Sequence, residues 1–415
     1  MKIVITNTAV LNTGDAAILF ATMDILRQAF IGPLEISVYD QQAEVAGRYY
    51  PDFRFQLVLY DQLTRESGEK HRKLYAARLL AAAFLWRSPL RAVGRWLAPR
   101  ALHRSLDEFA EADIIISAGG TYLVPHYRIL PKLLDLLVAR AVRRPLVLFT
   151  QSLGPFPGPR RGLLYFVLRS ARIILVRDAR SYRHLLDFGI RPDRIAECAD
   201  AAFALAKPIS DKAGSTSEGR RLRIAISVRD WPHIGTDSVD GMGRYIRALA
   251  ETVQWLIERG DVEITFLSTC QGVTEYWTDD SSVADLVVAG LPPPIGQQIR
   301  IDRDFHDPKT LIGQLATFDL VIATRMHVAI LALGAGIPVL PIAYEFKTVE
   351  LFKRLGLGDL VHDIETVTSE RLRTTIDDLL RERVSMKKRL APVVERERHS
   401  AFSAGQYIRD ALGSV

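Results

Sequence analysis

The sequence predicts an α/β fold arranged as two domains, on three observations. Short apolar runs end in small or polar residues, helix-periodic stretches separate them, and one polar break interrupts an alternation that then restarts. Such continuous apolar runs suit a parallel sheet covered by helices on both faces. A length of 415 residues exceeds one ordinary core and favours two domains of about 200 residues each. With 48% hydrophobic and 25% charged residues, the composition excludes a disordered or collagenous chain.

Taken in order, residues 2–6 read as a buried strand. Asn12-Thr13-Gly14-Asp15 then supplies a turn, with Asp15 as helix N-cap before Ala17, Ile18, Phe20, Ala21, Ile25 and Leu26. Further strands are expected over 35–39, over 114–117 running into Gly119-Gly120, and over 146–149 running into Gln151-Ser152-Leu153-Gly154-Pro155. A strand over 173–176 precedes a helix over 181–188. Residues 207–221, rich in Ser, Gly and charge, form the expected linker between an N-terminal domain 1–206 and a C-terminal domain 222–415. Beyond it, strands are expected over 223–228, 262–267, 320–323 and 339–342, with helices over 245–258, 326–333 and 347–354. The pattern is that of two Rossmann-like halves with a central cleft lined from the carboxyl ends of strands.

Residues 65–104 depart from the alternation. Arg78, Arg87, Arg91, Arg95, Arg100 and Arg104 stand among Leu79, Phe84, Leu85, Trp86, Leu90 and Trp96, which reads as a basic amphipathic helical insertion. Two placements fit: packing on its own domain, or lying on an anionic membrane with Arg at the headgroups and Trp and Leu pointing down. No apolar run approaches the ~20 residues of a spanning helix, and the first residues are too short for a secretory core. Two distant cysteines, Cys198 and Cys270, point to a reduced cytoplasm, with peripheral contact at the inner face of the membrane under the second placement. The net charge of +6 is not expected to serve nucleic acid, because no recognised module interleaves aromatic residues with the basic cluster.

The chain lacks a Gly-x-x-x-x-Gly-Lys-Ser/Thr loop, a Gly-x-Gly-x-x-Gly after the first strand and a His-Glu-x-x-His pair. Chemistry is therefore expected from Arg, Lys and His, with no metal. The most informative segment is Ala323-Thr324-Arg325-Met326-His327, where a strand ends and a helix begins. Free backbone amides and the helix dipole attract anions there, so Arg325 and His327 could hold a phosphate or carboxylate and supply a proton. A surface Arg with a helix-capping His accounts for the spacing equally well. Tyr344-Glu345-Phe346-Lys347 brings a second strand end with a cation, which either contacts phosphate or is solvent-exposed.

Eight blocks, taken together and in order, resemble the polysaccharide pyruvyl transferase family. They are Asn12-Thr13-Gly14-Asp15-Ala16-Ala17-Ile18, Ser117-Ala118-Gly119-Gly120, Gln151-Ser152-Leu153-Gly154-Pro155, Val176-Arg177-Asp178-Ala179-Arg180-Ser181, Ala199-Asp200-Ala201-Ala202-Phe203, Ser227-Val228-Arg229, Thr324-Arg325-Met326-His327 and Tyr344-Glu345-Phe346-Lys347. Ala118 stands where a third Gly is common. The basic insertion lies outside the blocks.

The resemblance implies a glycosyltransferase-B-like pair of domains, the N-terminal one on the acceptor side and the C-terminal one on the phosphoenolpyruvate side. The implied reaction moves a pyruvyl group from phosphoenolpyruvate to a sugar of a polysaccharide or its lipid-linked precursor, as a ketal, with release of phosphate. Phosphoenolpyruvate is then a co-substrate and no cofactor is implied. Arg177, Arg229 and Arg325 are the expected donor-binding groups, since guanidinium matches carboxylate and phosphate in bidentate fashion. His327 is the expected acid or base, because histidine ordinarily titrates near neutral pH, and Arg177 is grouped with it as catalytic. Met326, Lys347, Asn12, Gly14, Asp15, Gly119, Gly120 and Asp200 complete the expected substrate-binding set. Plain structural roles stay open for several of them: helix capping for Asp15, tight turns for the glycines, and turn capping for Asp200 as against orienting Arg177 or His327. A nucleotide-sugar-dependent glycosyltransferase of the same architecture and a non-catalytic carbohydrate-binding protein remain the alternatives.

Overall fold

The computed structural model describes residues 1–125, 127–207, 220–231 and 241–413, and within them two separate parallel sheets form. The first holds β1 (Lys2–Thr8), β2 (Glu35–Asp40), β3 (Phe55–Leu57), β4 (Ile114–Ser117), β5 (Gly120–Leu123), β6 (Leu146–Leu153), β7 (Ile173–Val176) and β8 (Ile195–Glu197). Its order is β3-β2-β1-β4-β6-β7-β8, with β5 also on β6. The second holds β9 (Leu222–Ser227), β10 (Val262–Phe266), β11 (Arg300–Ile301), β12 (Leu320–Ala323), β13 (Val339–Ala343) and β14 (His362–Asp363), in the order β11-β10-β9-β12-β13-β14. Central strands such as Ile114-Ile115-Ile116-Ser117 and Leu320-Val321-Ile322-Ala323 are buried at every position, as strands covered on both faces must be. Strand order reverses between β1 and β4 and again between β9 and β12. The carboxyl ends at these reversals are where doubly wound sheets accept ligands.

By its contacts, the chain divides into an N-terminal unit of Met1–Leu11, Ile18–Ala201 and Ser400–Val415, and a C-terminal unit of Asn12–Ala17 and Ala202–His399. Two segments therefore fall outside the domains expected from sequence. Asn12–Ala17 goes with the C-terminal unit because Thr13 N donates to Thr269 O at 2.9 Å and its hydroxyl to His306 O at 2.6 Å. The end of the long helix Arg383–Leu412 goes with the N-terminal unit, where Ser400 Oγ accepts from Ala199 N at 3.0 Å and Arg409 donates to Ala29 O at 3.1 Å. Of the expected linker 207–221, residues 208–219 lie outside the described residues.

Asp15 is not the N-cap. The helix Thr13–Ala29 starts two residues earlier, and Asn12 Oδ1 accepts the Gly14 N–H at 2.9 Å. Asp15 sits in the first turn, held by Asn12 Nδ2 at 3.0 Å. An acid there still favours the helix dipole.

The basic insertion forms the helices Leu59–Leu85 and Arg91–Leu97 and a short 3-10 turn at Arg100–Leu102. Leu79, Ala82, Ala83 and Trp86 are buried in the core of the N-terminal unit, and Trp86 Nε1 donates to Asp107 at 2.8 Å. Trp86 thus does not point toward a membrane. Gly94 is needed where the second helix crosses the first, since a Cβ there would lie 3.0 Å from Ala82 O. Among the described residues no helix is long and apolar enough to cross a membrane.

One buried carboxyl gives a test of the N-terminal core. Asp135, on the helix Ile129–Ala141, accepts from the Thr6 hydroxyl and from Leu59 N at 3.1 Å, and burial pushes it up to about 7. An unfolded Asp loses its proton near pH ~4. The native state therefore holds the extra proton between about pH 4 and about pH 7, and stability falls as pH rises through that window. Asp135→Asn, isosteric and uncharged, should flatten that part of a plot of urea midpoint against pH. An unchanged slope would mean that the folded carboxyl ionises at its ordinary pH.

Candidate active site

The reversal between β9 and β12 brings two strand ends side by side, with Ala323 opposite Ser227. Two residues beyond each end stand Arg229 and Arg325. Arg325 adopts extended backbone just before the helix Met326–Gly334, so its side chain and that of His327 project at a helix start. Thr324 N donates to Ser227 O at 3.0 Å and its hydroxyl meets Tyr245 OH at 2.7 Å, which fixes the turn.

Arg325 is buried, and its fork is occupied. Nε donates to Asp280 Oδ2 at 2.8 Å and Nη2 to Oδ1 at 2.5 Å, while Ser268 Oγ donates to the same carboxylate. Burial alone would weaken the hold of Arg325 on its proton; the Asp280 carboxylate outweighs it and lifts the guanidinium well above its ordinary value. The Nε–Nη2 edge of Arg325 is therefore taken by Asp280. Burial also pushes the neighbouring Cys270 thiol up to about 12, which leaves it protonated at neutral pH.

The imidazole of His327 lies against the backbone of Gly14. A Cβ on Gly14 would fall 2.5 Å from His327 Nδ1 and 2.7 Å from its Cβ, so this glycine is required by close approach. At the neighbouring end of β13, the Arg229 guanidinium stacks 4.2 Å from the Tyr344 ring centre and 5.0 Å from that of Trp231, and its Nη1 donates to Tyr344 OH. Lys347 Nζ pairs with Glu345 at 2.6 Å and lies 5.2 Å from the Tyr344 ring. It is only 9% exposed, which corrects the solvent-exposed alternative. Met326 is buried at 4% exposure and faces the protein interior. The C-terminal unit therefore holds Asn12, Gly14, Asp15, Arg229, Arg325, Met326, His327 and Lys347.

The other four candidates belong to the N-terminal unit. Arg177 follows β7 and is buried: Nε donates to Ser152 Oγ at 2.9 Å, Nη2 to Thr121 Oγ1 at 2.7 Å, and Nη1 to Asp200. The three nitrogens thus reach Thr121 of β5, Ser152 of β6 and Asp200 beyond β8. Arg177 ties these elements together, and Asp200 holds it. Gly119 is packed so that a Cβ would meet Thr150 Oγ1 at 2.5 Å, and Gly120 has φ +147. Gly119 is thus required by close packing and Gly120, the first residue of β5, by its backbone conformation.

Sequence reasoning missed Asp280, Ser268, Tyr245 and Trp231. Asp280 lies 45 residues before the arginine it pairs with, in a turn that carries no periodic signal. Among the described residues, no three His, Cys, Asp or Glu side chains converge as a metal site would require.

Over the whole chain the fold is similar to solved sugar-nucleotide proteins. MnaA of S. aureus with UDP superposes with a TM-score of 0.60 at 12% identity, covering 98% of this chain and 94% of that one. HepE of Anabaena with UDP-glucose gives 0.59 at 14%, covering 100% of both. These likenesses bear on fold, which is of the glycosyltransferase-B type. In sequence the chain is 25% identical over 400 residues to the amylovoran biosynthesis protein AmsJ of Erwinia amylovora, 93% of this chain and 94% of that protein. The model of the family described as polysaccharide pyruvyl transferase matches residues 12–345, from the capping Asn12 to Glu345 beside Lys347, and the chain belongs to that family.

Proposed function

We propose that this chain transfers the pyruvyl group of phosphoenolpyruvate to a sugar of a polysaccharide, or of its lipid-linked precursor, as a ketal. The observation that carries the reading is the cationic cluster at the carboxyl ends of β9, β12 and β13, with an imidazole seated against Gly14 beside it. Membership in the family and the biosynthetic name of the Erwinia relative support a saccharide acceptor.

In this reading Arg229 and Lys347 attract the carboxylate and phosphate of the donor, and Arg325 holds the helix start in register through Asp280. A proton delivered to the methylene carbon makes the adjacent carbon electrophilic, and a sugar hydroxyl adds there and loses its own proton. The bond from that carbon to the phosphate oxygen then breaks, inorganic phosphate departs, and a second hydroxyl closes the ketal, its proton passing to the departing phosphate. His327 delivers the first proton and takes up one from the acceptor.

The test is release of inorganic phosphate from phosphoenolpyruvate in the presence of a glycan acceptor, with a new ketal methyl signal in the product. UDP release from a UDP-sugar without phosphate release would instead favour a glycosyltransferase.

A further inference from the structure

The charge of the molecule is concentrated in one place. Residues 70–104 contain nine Lys or Arg and no Asp or Glu, against a net charge of +6 for the whole chain, so the remainder is net acidic. The same stretch carries Leu74, Phe84, Leu90, Val93 and Trp96, five of the thirteen large apolar side chains exposed among the described residues. Four of these lie where the two helices of the insertion meet. Seating Gly94 against Ala82 and Leu85 turns Val93 and Trp96 of the second helix outward, at 44% and 77% exposure. Leu90, at 57%, precedes that helix, and Phe84, at 55%, stands in the last turn of the first.

Cations surround this apolar face. Arg143 lies 4.8 Å from the Phe84 ring, and Arg87 donates to the carbonyls of Val142 and Arg143, contacts that leave its charge uncompensated. Beneath the face Asp107 accepts from Trp86 and Arg91 and lies 3.8 Å from Arg95, and Glu108 pairs with Arg104 at 3.1 Å.

We propose that the face built from Phe84, Leu90, Val93 and Trp96, with its surrounding arginines, docks on an anionic lipid bilayer. Exposed Trp, Leu and Phe beside unneutralised Arg suit the boundary between headgroups and acyl chains, where each meets its own phase. A second copy of the chain would oppose like charge to like charge across the same face, which disfavours a self-interface. A polyanion in water would satisfy the arginines and leave the apolar side chains exposed. The docking footprint is Trp96 and its neighbours, since Trp86 belongs to the core.

The test is co-sedimentation of the full chain with vesicles of phosphatidylcholine alone and of phosphatidylcholine with phosphatidylglycerol, across a salt series. Binding to the anionic vesicles should exceed binding to the neutral ones by at least tenfold and fall with salt. The triple variant Leu90→Ser, Val93→Ser, Trp96→Ser should lose most of it, while Lys73→Gln with Arg100→Gln should weaken it about fivefold per charge removed. Urea midpoints and far-UV circular dichroism equal to those of the wild type report that the surface variants fold. Equal binding to both vesicle types, wild-type binding by the triple variant, or a dimer that the triple variant abolishes would each overturn the proposal.

Discussion

Replacing Arg325 by Ala should destabilise the C-terminal unit by about 3–5 kcal/mol, the usual cost of stranding one partner of a buried ion pair. The side chain of Asp280 has 0% exposure, and both of its oxygens are held by Arg325. Without the guanidinium the carboxylate keeps only the Ser268 hydroxyl, which cannot neutralise it. The pair itself need not be strongly stabilising, because burying both charges costs about as much as their attraction returns. The double variant Arg325→Met, Asp280→Leu should therefore recover much of the loss. Urea midpoints for the two singles and the double form a cycle that separates these effects. An Arg325→Ala midpoint equal to that of the wild type would show that the pair is not maintained in solution. Loss of donor binding in Arg325→Ala is thus ambiguous, and Arg229, stacked on Tyr344, is the cleaner position at which to probe donor recognition.

The central strands were legible because their residues are buried on both faces and read as unbroken apolar runs. β7 and β12 begin and end where the sequence placed them. β3, β8, β11 and β14 were not legible, since two or three residues at a sheet edge carry no period. Gly14 and His327 were both singled out from sequence as separate motifs, yet their contact was invisible. It depends on Asn12–Ala17 folding with a unit whose other residues begin at Ala202. Arg177 and Arg325 illustrate a second limit. A buried Arg that pairs with a distant Asp has the same sequence signature as one that awaits a ligand, and only Asp200 and Asp280 in place tell them apart.

Removing the imidazole should cost turnover and spare binding. His327→Ala should lower the single-turnover rate on the order of 10²–10⁴-fold, the range for a missing general acid or base, with a smaller change in the donor dissociation constant. A second substitution reaches the same group without deleting it. Gly14→Ala would set a Cβ 2.5 Å from His327 Nδ1 and 2.7 Å from His327 Cβ. Because the clash includes Cβ, rotation of the ring alone does not relieve it, and the imidazole must shift bodily. A displacement of ~1 Å in a reacting group can cost about 10²-fold, so Gly14→Ala should be slow while keeping an intact histidine. Single-turnover rates, with donor binding by calorimetry, check both. A His327→Ala enzyme as fast as the wild type would remove histidine from the proton transfer, and a fast Gly14→Ala enzyme would show that the imidazole need not sit where Gly14 holds it.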